Sequence, residues 1–182
     1  MNNSQERTRT EIRVLELTRA QSLIKLGARP PIVSSLVRDI RKSDISDMYL
    51  EVHGVTPPKG QLPSQARYYF SSYTIKLHSS ILASVYHLLR QQSSHHTDAM
   101  IAAYTFYLDT FIVEGGPKIE FDRFWALLRE IQTNKITQVR CTCCYSRFIE
   151  DSSALISENS CPACWLESKI NKSEVRNTKV AA

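Results

Sequence analysis

Two pairs of cysteines near the C-terminus constrain the fold of this chain more than any other feature. The first pair lies in the segment Cys141-Thr-Cys143-Cys144, and the second pair, sixteen residues later, lies in Cys161-Pro-Ala-Cys164. A Cys-x-x-Cys segment presents two thiolates on one side of a tight turn, and two such segments suit a tetrahedral metal ion. Four soft sulfur ligands favour Zn²⁺ and leave no position for a bound water, so the pattern predicts a structural zinc and no zinc hydrolysis.

Cys143 is the fifth cysteine, and its role is open at this point. Cys141 and Cys144 have the required spacing, so we expect Cys143 to be free, with an exchange of ligands between Cys143 and either neighbour as the alternative. The other interpretations of the cysteines are disulfides and a thioredoxin-like or redox-sensing thiol pair. The odd number of cysteines and the polar segment 1–11, which has no apolar leader, favour a reducing, cytoplasmic location and a metal over disulfides.

The bulk composition fits one compact domain with a small addition. The chain has 182 residues, of which 42% are hydrophobic and 23% are charged, and its net charge is +5. The basic excess lies in residues 1–60 and 131–182, whereas residues 61–130 are neutral, and this distribution fits nucleic-acid contact by the two ends. No apolar run is long enough to predict a transmembrane helix. The sequence contains neither a phosphate-binding glycine loop nor a hydrolase motif, which argues against an enzyme.

The apolar periodicity predicts a mainly α fold that begins with a helical unit over residues 1–54. Residues 10–26 are expected to form a helix with Thr10 as its N-cap and Gly27 at its end. The apolar residues of this segment cover more than one narrow stripe. This predicts burial on two sides, either within one core or partly against a partner.

Two further helices are expected in the N-terminal unit. Pro30 suits the first turn of a short helix, and Ser43 or Asp44 is expected to cap a third helix that Gly54 ends. A helix, a short helix, a turn and a helix form a helix-turn-helix-like layout. The pattern leaves open whether this unit reads DNA or is an ordinary small helical bundle.

Residues 55–135 are predicted to form a helical body that follows a proline-rich connector, VTPPKGQLP, at residues 55–63. Thr97 is expected to cap one of its helices. Several aromatic residues follow the connector, and burial in the core or against a partner is a more frequent role for such residues than stacking on bases. They are Tyr68, Tyr69, Phe70 and Tyr73.

The C-terminal part is predicted to contain a small zinc-ribbon-like module with four cysteine ligands over residues 136–168 and a basic flexible tail over residues 169–182. Short apolar runs predict strands next to the cysteine pairs. These runs are Ile136–Val139, Phe148–Ile149 and Leu155–Ile156. A module of this size has little core of its own, so metal binding would supply folding free energy.

Positive charge flanks the turn before the third helix of the N-terminal unit. If the unit contacts DNA, Arg38, Arg41 and Lys42 are the candidate residues, mainly for the phosphate backbone. The polar face of the third helix carries carboxylates, which are unfavourable beside phosphates. Ordinary solvation of a helix surface is the alternative role for the three basic residues.

Four segments together resemble one protein family. They are GAR (27–29), TPPKGQLP (56–63), EGGP (114–117) and the Cys-x-Cys-Cys and Cys-x-x-Cys pair. Over roughly residues 13–166 the chain is similar to the bacterial flagellar transcriptional activator subunit FlhC. In that family the first and last cysteines of the first segment and both cysteines of the second hold zinc. By the resemblance, the ligands of one Zn²⁺ per chain are Cys141, Cys144, Cys161 and Cys164.

The resemblance also implies an activity and partners. FlhC proteins are cytoplasmic regulators that bind double-stranded promoter DNA and activate flagellar transcription with RNA polymerase. They do so in a heterohexamer of two FlhC chains and four smaller FlhD chains. Two other interpretations stay open: a zinc-stabilised scaffold whose partner chain reads the DNA, and a thiol switch in which Cys143 takes part.

Overall fold

The computed structural model describes residues 8–111, 116–154 and 159–170. Within these ranges the chain is mainly helical, with one small sheet, as the sequence predicts. The helices are α1 (Arg9–Lys25), α2 (Pro30–Leu36), α3 (Lys42–His53), a 3₁₀ helix (Ala66–Phe70), α4 (Tyr73–Gln92), α5 (His96–Thr110) and α6 (Phe121–Gln132). An antiparallel hairpin of β1 (Ile136–Arg140) and β2 (Arg147–Asp151) follows. Residues 162–170 form a further helix, α7.

The N-cap of helix α1 lies two residues before the predicted one. Thr8, not Thr10, is the N-cap: its hydroxyl accepts from the backbone N–H of Glu11, and the Glu11 carboxylate accepts from the backbone N–H of Thr8. This reciprocal capping box satisfies two otherwise free donors, which a cap at Thr10 would not do. The helix ends as predicted before Gly27, whose φ of 91° lies in the left-handed region.

Helices α2 and α3 follow the predicted helix-turn-helix-like layout. Pro30 is in the first turn of α2, and Gly54 ends α3 in the left-handed conformation. The predicted caps of α3, Ser43 and Asp44, are wrong, because Arg41 is the N-cap residue and makes no side-chain cap hydrogen bond. The inner faces of α1, α2 and α3 share one core of fully buried aliphatic side chains, which include Leu23, Ile24, Ile32, Val33 and Ile45.

The same core continues through α4, α5 and α6. Tyr104 and Tyr107 of α5 pack among Phe121 and Phe124 of α6, and the Tyr104 hydroxyl donates to the carbonyl of Ile119 at 2.9 Å. Aromatic side chains bury large apolar areas, and the two tyrosine hydroxyls are paired, as buried polar groups require. The helical unit at the N-terminus and the helical body therefore have one continuous core.

The β hairpin packs directly on the helical body. Ile136 and Ile149 are buried with Tyr69, Ala83 and Leu127, which come from the 3₁₀ helix, α4 and α6. Two hydrogen bonds reinforce this contact, because the backbone of β2 pairs with the hydroxyls of two α4 serines at 3.2 and 3.0 Å. The hairpin is thus a fixed base from which the cysteine segments extend.

Some predicted features lie outside the described residues. These are the strand at Leu155–Ile156, the first two residues of the EGGP segment, and the tail beyond residue 170. The division of the chain at residues 55, 136 and 169 stays a prediction. Every helix in the described ranges is too short or too polar to span a lipid bilayer.

Candidate metal centre

Four of the five cysteines converge at the end of the hairpin. The thiol sulfurs of Cys141, Cys144, Cys161 and Cys164 all lie within 4.8 Å of one another, and those of Cys144 and Cys161 are 3.7 Å apart. A tetrahedral site with metal–sulfur distances of about 2.3 Å has sulfur–sulfur edges of about 3.8 Å. The donor set and its dimensions therefore fit a metal ion such as zinc. Cys143 is exposed and does not belong to the cluster.

Strand β1 delivers the first cysteine segment to the cluster. Cys141 directly follows the strand, and its backbone N–H donates to the carbonyl of Ser146 at 2.9 Å. The backbone N–H of Tyr145 donates back to the carbonyl of Cys141 at 3.0 Å. Tyr145 has a φ of 60°, a conformation that side chains other than glycine rarely adopt. This tight turn brings the thiols of Cys141 and Cys144 to the same side.

Helix α7 positions the second cysteine segment. Cys161 immediately precedes the helix, and its carbonyl accepts the backbone N–H of Trp165 at 3.0 Å. Cys164 therefore lies in the first helical turn, and its N–H points at the Cys161 sulfur at 3.5 Å. The carbonyl of Asn159 accepts two hydrogen bonds from Thr142, from the backbone N–H at 2.9 Å and from the hydroxyl at 2.6 Å. These two bonds join the two cysteine segments.

The backbone is arranged to stabilise negative charge on sulfur. Burial opposes ionisation of Cys141, but backbone N–H groups, including those of Cys144 and Cys161, outweigh burial and lower the pKa of the Cys141 thiol to about 6. Hydrogen bonds from Ser146 lower the pKa of Cys144. Burial raises the pKa of Cys161, and the neighbouring thiols of Cys144 and Cys161 raise the pKa of Cys164. Four adjacent thiolates repel one another, and a bound divalent cation removes that repulsion.

The aromatic contact that holds α7 has no signal in the sequence. Trp165 stacks on Tyr73, the first residue of α4, with ring centroids 3.8 Å apart and planes inclined by 11°. The ammonium of Lys169 lies 5.2 Å from the Trp165 ring on the same helix. The hydrogen bonds from Thr142 to the carbonyl of Asn159 likewise have no signal in the sequence. Both contacts link residues that are distant in sequence and belong to no periodic pattern.

The predicted DNA-contact residues lie together at the turn between α2 and α3. Arg38 and Lys42 are exposed, and the Arg41 side chain is 83% exposed. Arg41 forms an ion pair with Asp44 at 3.1 Å, so part of its charge is balanced locally.

A buried carboxylate fixes the backbone of this turn. Glu16 of α1 accepts from the backbone N–H of Arg38 at 2.8 Å and from the Arg19 guanidinium at 2.5 Å. Arg19 in turn makes two hydrogen bonds of 2.7 Å with Asp98 of α5, and these bonds raise the pKa of its guanidinium. The position of the turn relative to α1 and α5 is therefore set by a network of paired charges in which Glu16 and Arg19 are largely buried.

Comparisons with known proteins find relatives that match most of the chain. The family model described as flagellar transcriptional activator (FlhC) matches residues 8–177. The flagellar transcriptional regulator FlhC of Paraburkholderia phymatum is 32% identical over 161 residues, which cover 87% of this chain and 73% of the relative. That of Sodalis glossinidius is 38% identical over 133 residues, or 71% of this chain and 67% of the relative. The regulator of Enterobacter cloacae is 29% identical over 167 residues, which cover 90% of this chain and 86% of the relative. The chain therefore belongs to the FlhC family of flagellar transcriptional activators.

Proposed function

We propose that this chain is the DNA-binding subunit of a transcriptional activator that acts at flagellar promoters. It binds double-stranded promoter DNA in a hetero-oligomer with a smaller FlhD-like partner, two of this chain with four of the partner, and it acts on RNA polymerase in the cytoplasm. The observation that carries the proposal is membership of the FlhC family across most of the chain. The exposed basic turn between α2 and α3 supports it.

The proposed DNA contact is centred on this turn. Arg38, Arg41 and Lys42 offer three exposed cations within five positions, on a backbone that Glu16 holds in place. The N-terminal N–H groups of α3 receive no side-chain cap from Arg41, and the helix dipole favours an anion there.

A concave surface next to the turn adds serine hydroxyls, of which those of Ser35 and Ser46 already donate to the helix carbonyls of Ile32 and Lys42. It has a volume of about 530 Å³ and lies between α2 and α3, where Lys42 is accompanied by the hydroxyls of Ser34, Ser35 and Ser46. Lysine and serine side chains are frequent phosphate ligands at protein–DNA interfaces. The arrangement supports phosphate contact, which positions a protein on DNA, rather than base reading.

We further propose that the cysteine cluster holds one structural Zn²⁺ per chain through Cys141, Cys144, Cys161 and Cys164. Zinc in a closed four-sulfur site contributes folding free energy and no catalysis. The chain's own residues orient the ligands: the β hairpin carries the first pair, and α7 carries the second. The ion would therefore fix α7 against the hairpin.

The DNA proposal is tested by fluorescence anisotropy on a flagellar promoter fragment and on a scrambled duplex, with the chain alone and co-expressed with its partner. Reversal of charge at Arg38, Arg41 and Lys42 should weaken promoter binding about tenfold or more and reduce the salt dependence. A control variant reverses three exposed cations elsewhere, at positions 25, 59 and 67, and so makes the same change in net charge.

The two variants separate the proposal from its alternative. Loss of affinity in the turn variant alone, with an intact complex, supports DNA binding by this chain. Equal affinity of both variants and the wild type would mean that the partner reads the DNA and that this chain is a scaffold. Equal loss in both variants would indicate only a general effect of net charge.

The metal proposal has a matched pair of variants. Cys161→Ser removes a sulfur of the cluster, whereas Cys143→Ser removes the exposed cysteine next to it. Elemental analysis of the purified chain should find about one zinc per chain in the wild type and in Cys143→Ser, and much less in Cys161→Ser. Full zinc content in Cys161→Ser, or its loss in Cys143→Ser, would contradict the proposed ligand set.

A further inference from the structure

An apolar groove runs between α4 and the cysteine segments. Its volume is about 490 Å³. One wall is a stripe of α4, formed by Leu77, Ile81, Val85 and Leu88. These residues are spaced by four, four and three positions and therefore lie on one face of the helix. Leu88 is 59% exposed, which leaves the end of the stripe open to solvent.

The opposite wall belongs to the cysteine segments. Tyr145 and Pro162 line it together with Cys144 and Cys161. The Tyr145 side chain projects from a left-handed backbone position and is 72% exposed. An exposed aromatic side chain at the edge of an aliphatic stripe extends the apolar lining of the groove, and apolar surface rimmed by polar groups is found at interaction sites. Because two of the four clustered thiols belong to this wall, its shape depends on the cluster.

Two arginines stand at the rim of the groove. Arg140 and Arg147 are directly opposite each other across the β hairpin, and both line the groove. Like charges in directly opposed positions destabilise a hairpin. Among the residues that the structure describes, no carboxylate forms an ion pair with either arginine. The pair is therefore complementary to carboxylates supplied from outside.

The shape of the groove selects a helix as its occupant. The stripe extends from Leu77 to Leu88, which corresponds to roughly 16 Å at the rise of an α-helix, or three turns. The long wall is the side of a helix, whose backbone donors and acceptors are already paired, so an extended strand would gain no ladder hydrogen bonds there. A helix satisfies its own backbone and needs only an apolar face. DNA would place phosphates against the aliphatic α4 wall of the groove, which is unfavourable.

We propose that this groove binds an amphipathic α-helix of a partner protein. The apolar stripe of the partner helix would pack against the α4 wall, and its carboxylates would pair with Arg140 and Arg147. The proposal goes beyond DNA binding at the α2–α3 turn and involves none of the same residues. A contact limited to about three helical turns is small, and small contacts are typical of weak, transient interfaces. Binding requires the metal-loaded chain, because the cysteine segments form one wall.

The probe is a fluorescent helical peptide of about four turns, with leucines at helical spacing and glutamates on both sides of the leucine stripe. A second peptide carries lysine in place of glutamate, and a third has the composition of the first in a scrambled order. Anisotropy on the zinc-loaded full chain should show saturable binding of the glutamate peptide. The lysine and scrambled peptides should bind at least about tenfold more weakly than the glutamate peptide.

Variants of the chain locate the site. Leu88→Glu should weaken binding of the glutamate peptide about tenfold or more, whereas Phe106→Glu, which changes an equally exposed apolar residue on α5, should change it less than about twofold. The double variant Arg140→Glu/Arg147→Glu should reverse the preference, so that the lysine peptide binds better than the glutamate peptide. A gain of binding cannot result from misfolding. Circular dichroism checks that each variant keeps its helical content.

Any one of four results would overturn the proposal. The first is absence of saturable binding of the glutamate peptide to the zinc-loaded chain. The second is equal binding of all three peptides. The third is an equal loss of peptide binding in Leu88→Glu and Phe106→Glu. The fourth is a loss of promoter affinity in Leu88→Glu without any effect on the peptide, which would make the groove a nucleic-acid contact instead. Because the turn variant with reversed charges at positions 38, 41 and 42 should bind the peptide normally, failure of the DNA proposal and failure of this one are distinguishable.

Discussion

Arg29 binds Asp122 through both its side chain and its backbone. The Arg29 Nε donates to one carboxylate oxygen, and the Arg29 backbone N–H donates to the other at 3.2 Å. The two side chains are only 13% and 10% exposed. The remaining guanidinium nitrogens lie 3.4 and 3.5 Å from the carbonyls of Gln61 and Gly60. One arginine therefore joins the start of α2, the first turn of α6 and the proline-rich connector.

We predict that Asp122→Ala destabilises the fold by about 3 kcal/mol, because it leaves a nearly buried guanidinium without its counter-ion. Urea unfolding followed by circular dichroism measures the free energy of unfolding. The control is Asp109→Ala on α5, where the aspartate is exposed and the expected change is within about 0.5 kcal/mol. Similar values for the two variants would show that the ion pair contributes little.

A second prediction concerns the end of α3. Gly54 has a φ of 69°, and a Cβ added there would meet no atom within 4 Å, so only the backbone conformation opposes substitution. We expect Gly54→Ala to lower the free energy of unfolding by about 1 kcal/mol, and Gly54→Asn to lower it less, since asparagine tolerates the left-handed region better. The measurable outcome is a free energy of unfolding that is lowest for Gly54→Ala, higher for Gly54→Asn and highest for the wild type. Equal stability of the three chains would contradict it.

Local patterns predict the helices well because their apolar spacing records which face is buried. The failures concern helix caps, and at α5 the reason is a tertiary contact that uses the residue to which the local pattern assigns the cap. Thr97 is the predicted cap of α5, but its hydroxyl donates to the carbonyl of Leu36 at 3.0 Å, and the cap is His95, whose Nδ1 accepts the Thr97 N–H. The pattern contains no information on the position of Leu36, so this exchange of roles is not predictable from it.

The candidate metal site also combines features that the sequence predicts with features that it does not. The spacing of the cysteines predicts that two pairs of sulfurs meet and favours Cys143 as the free thiol, but it leaves an exchange of ligands with Cys143 open; the folded chain shows which four sulfurs converge. What holds the two segments to each other and to the body is not predictable in this way. The Thr142–Asn159 bonds and the Tyr73–Trp165 stack each join residues whose relation exists only in the folded chain.

The stack of Trp165 on Tyr73 provides a third prediction. Because Cys164 and Trp165 share the first turns of α7, loss of the metal should release the helix and expose the indole ring. In a Trp125→Phe background Trp165 is the only tryptophan, and its emission should shift to longer wavelength when a chelator removes zinc. Re-addition of zinc should restore the original spectrum.

The control for this experiment is Tyr73→Ala in the same background. It removes the stacking partner without touching a ligand, so we expect a red-shifted emission with zinc still bound. A spectrum that does not change on chelation would mean that α7 keeps its place without the metal. In that case the cysteine cluster would not be what fixes α7 against the body.

The fourth prediction follows from the ionisation of the four thiols. The pKa values of Cys161 and Cys164 are raised above their ordinary value, so both groups are protonated at pH 7 in the metal-free chain, whereas the pKa of Cys141 is lowered to about 6. Zinc binds thiolates only, and binding at pH 7 should therefore release at least two protons per metal. Calorimetric titration in two buffers of different ionisation enthalpy measures this number directly.

The same ionisation fixes how zinc affinity changes with pH. Because at least two protons compete with the metal at pH 7, the apparent affinity should fall at least about a hundredfold for each pH unit below 7, and more steeply below about pH 6, where the Cys141 thiolate also takes up a proton. The direction follows from the competition between protons and the metal for sulfur, and the lowered pKa of Cys141 delays the loss of its thiolate until the pH falls through about 6. The variant Cys143→Ser should give the same curve, since Cys143 lies outside the cluster. Release of fewer than two protons at pH 7 would show that the thiols are already ionised before zinc binds.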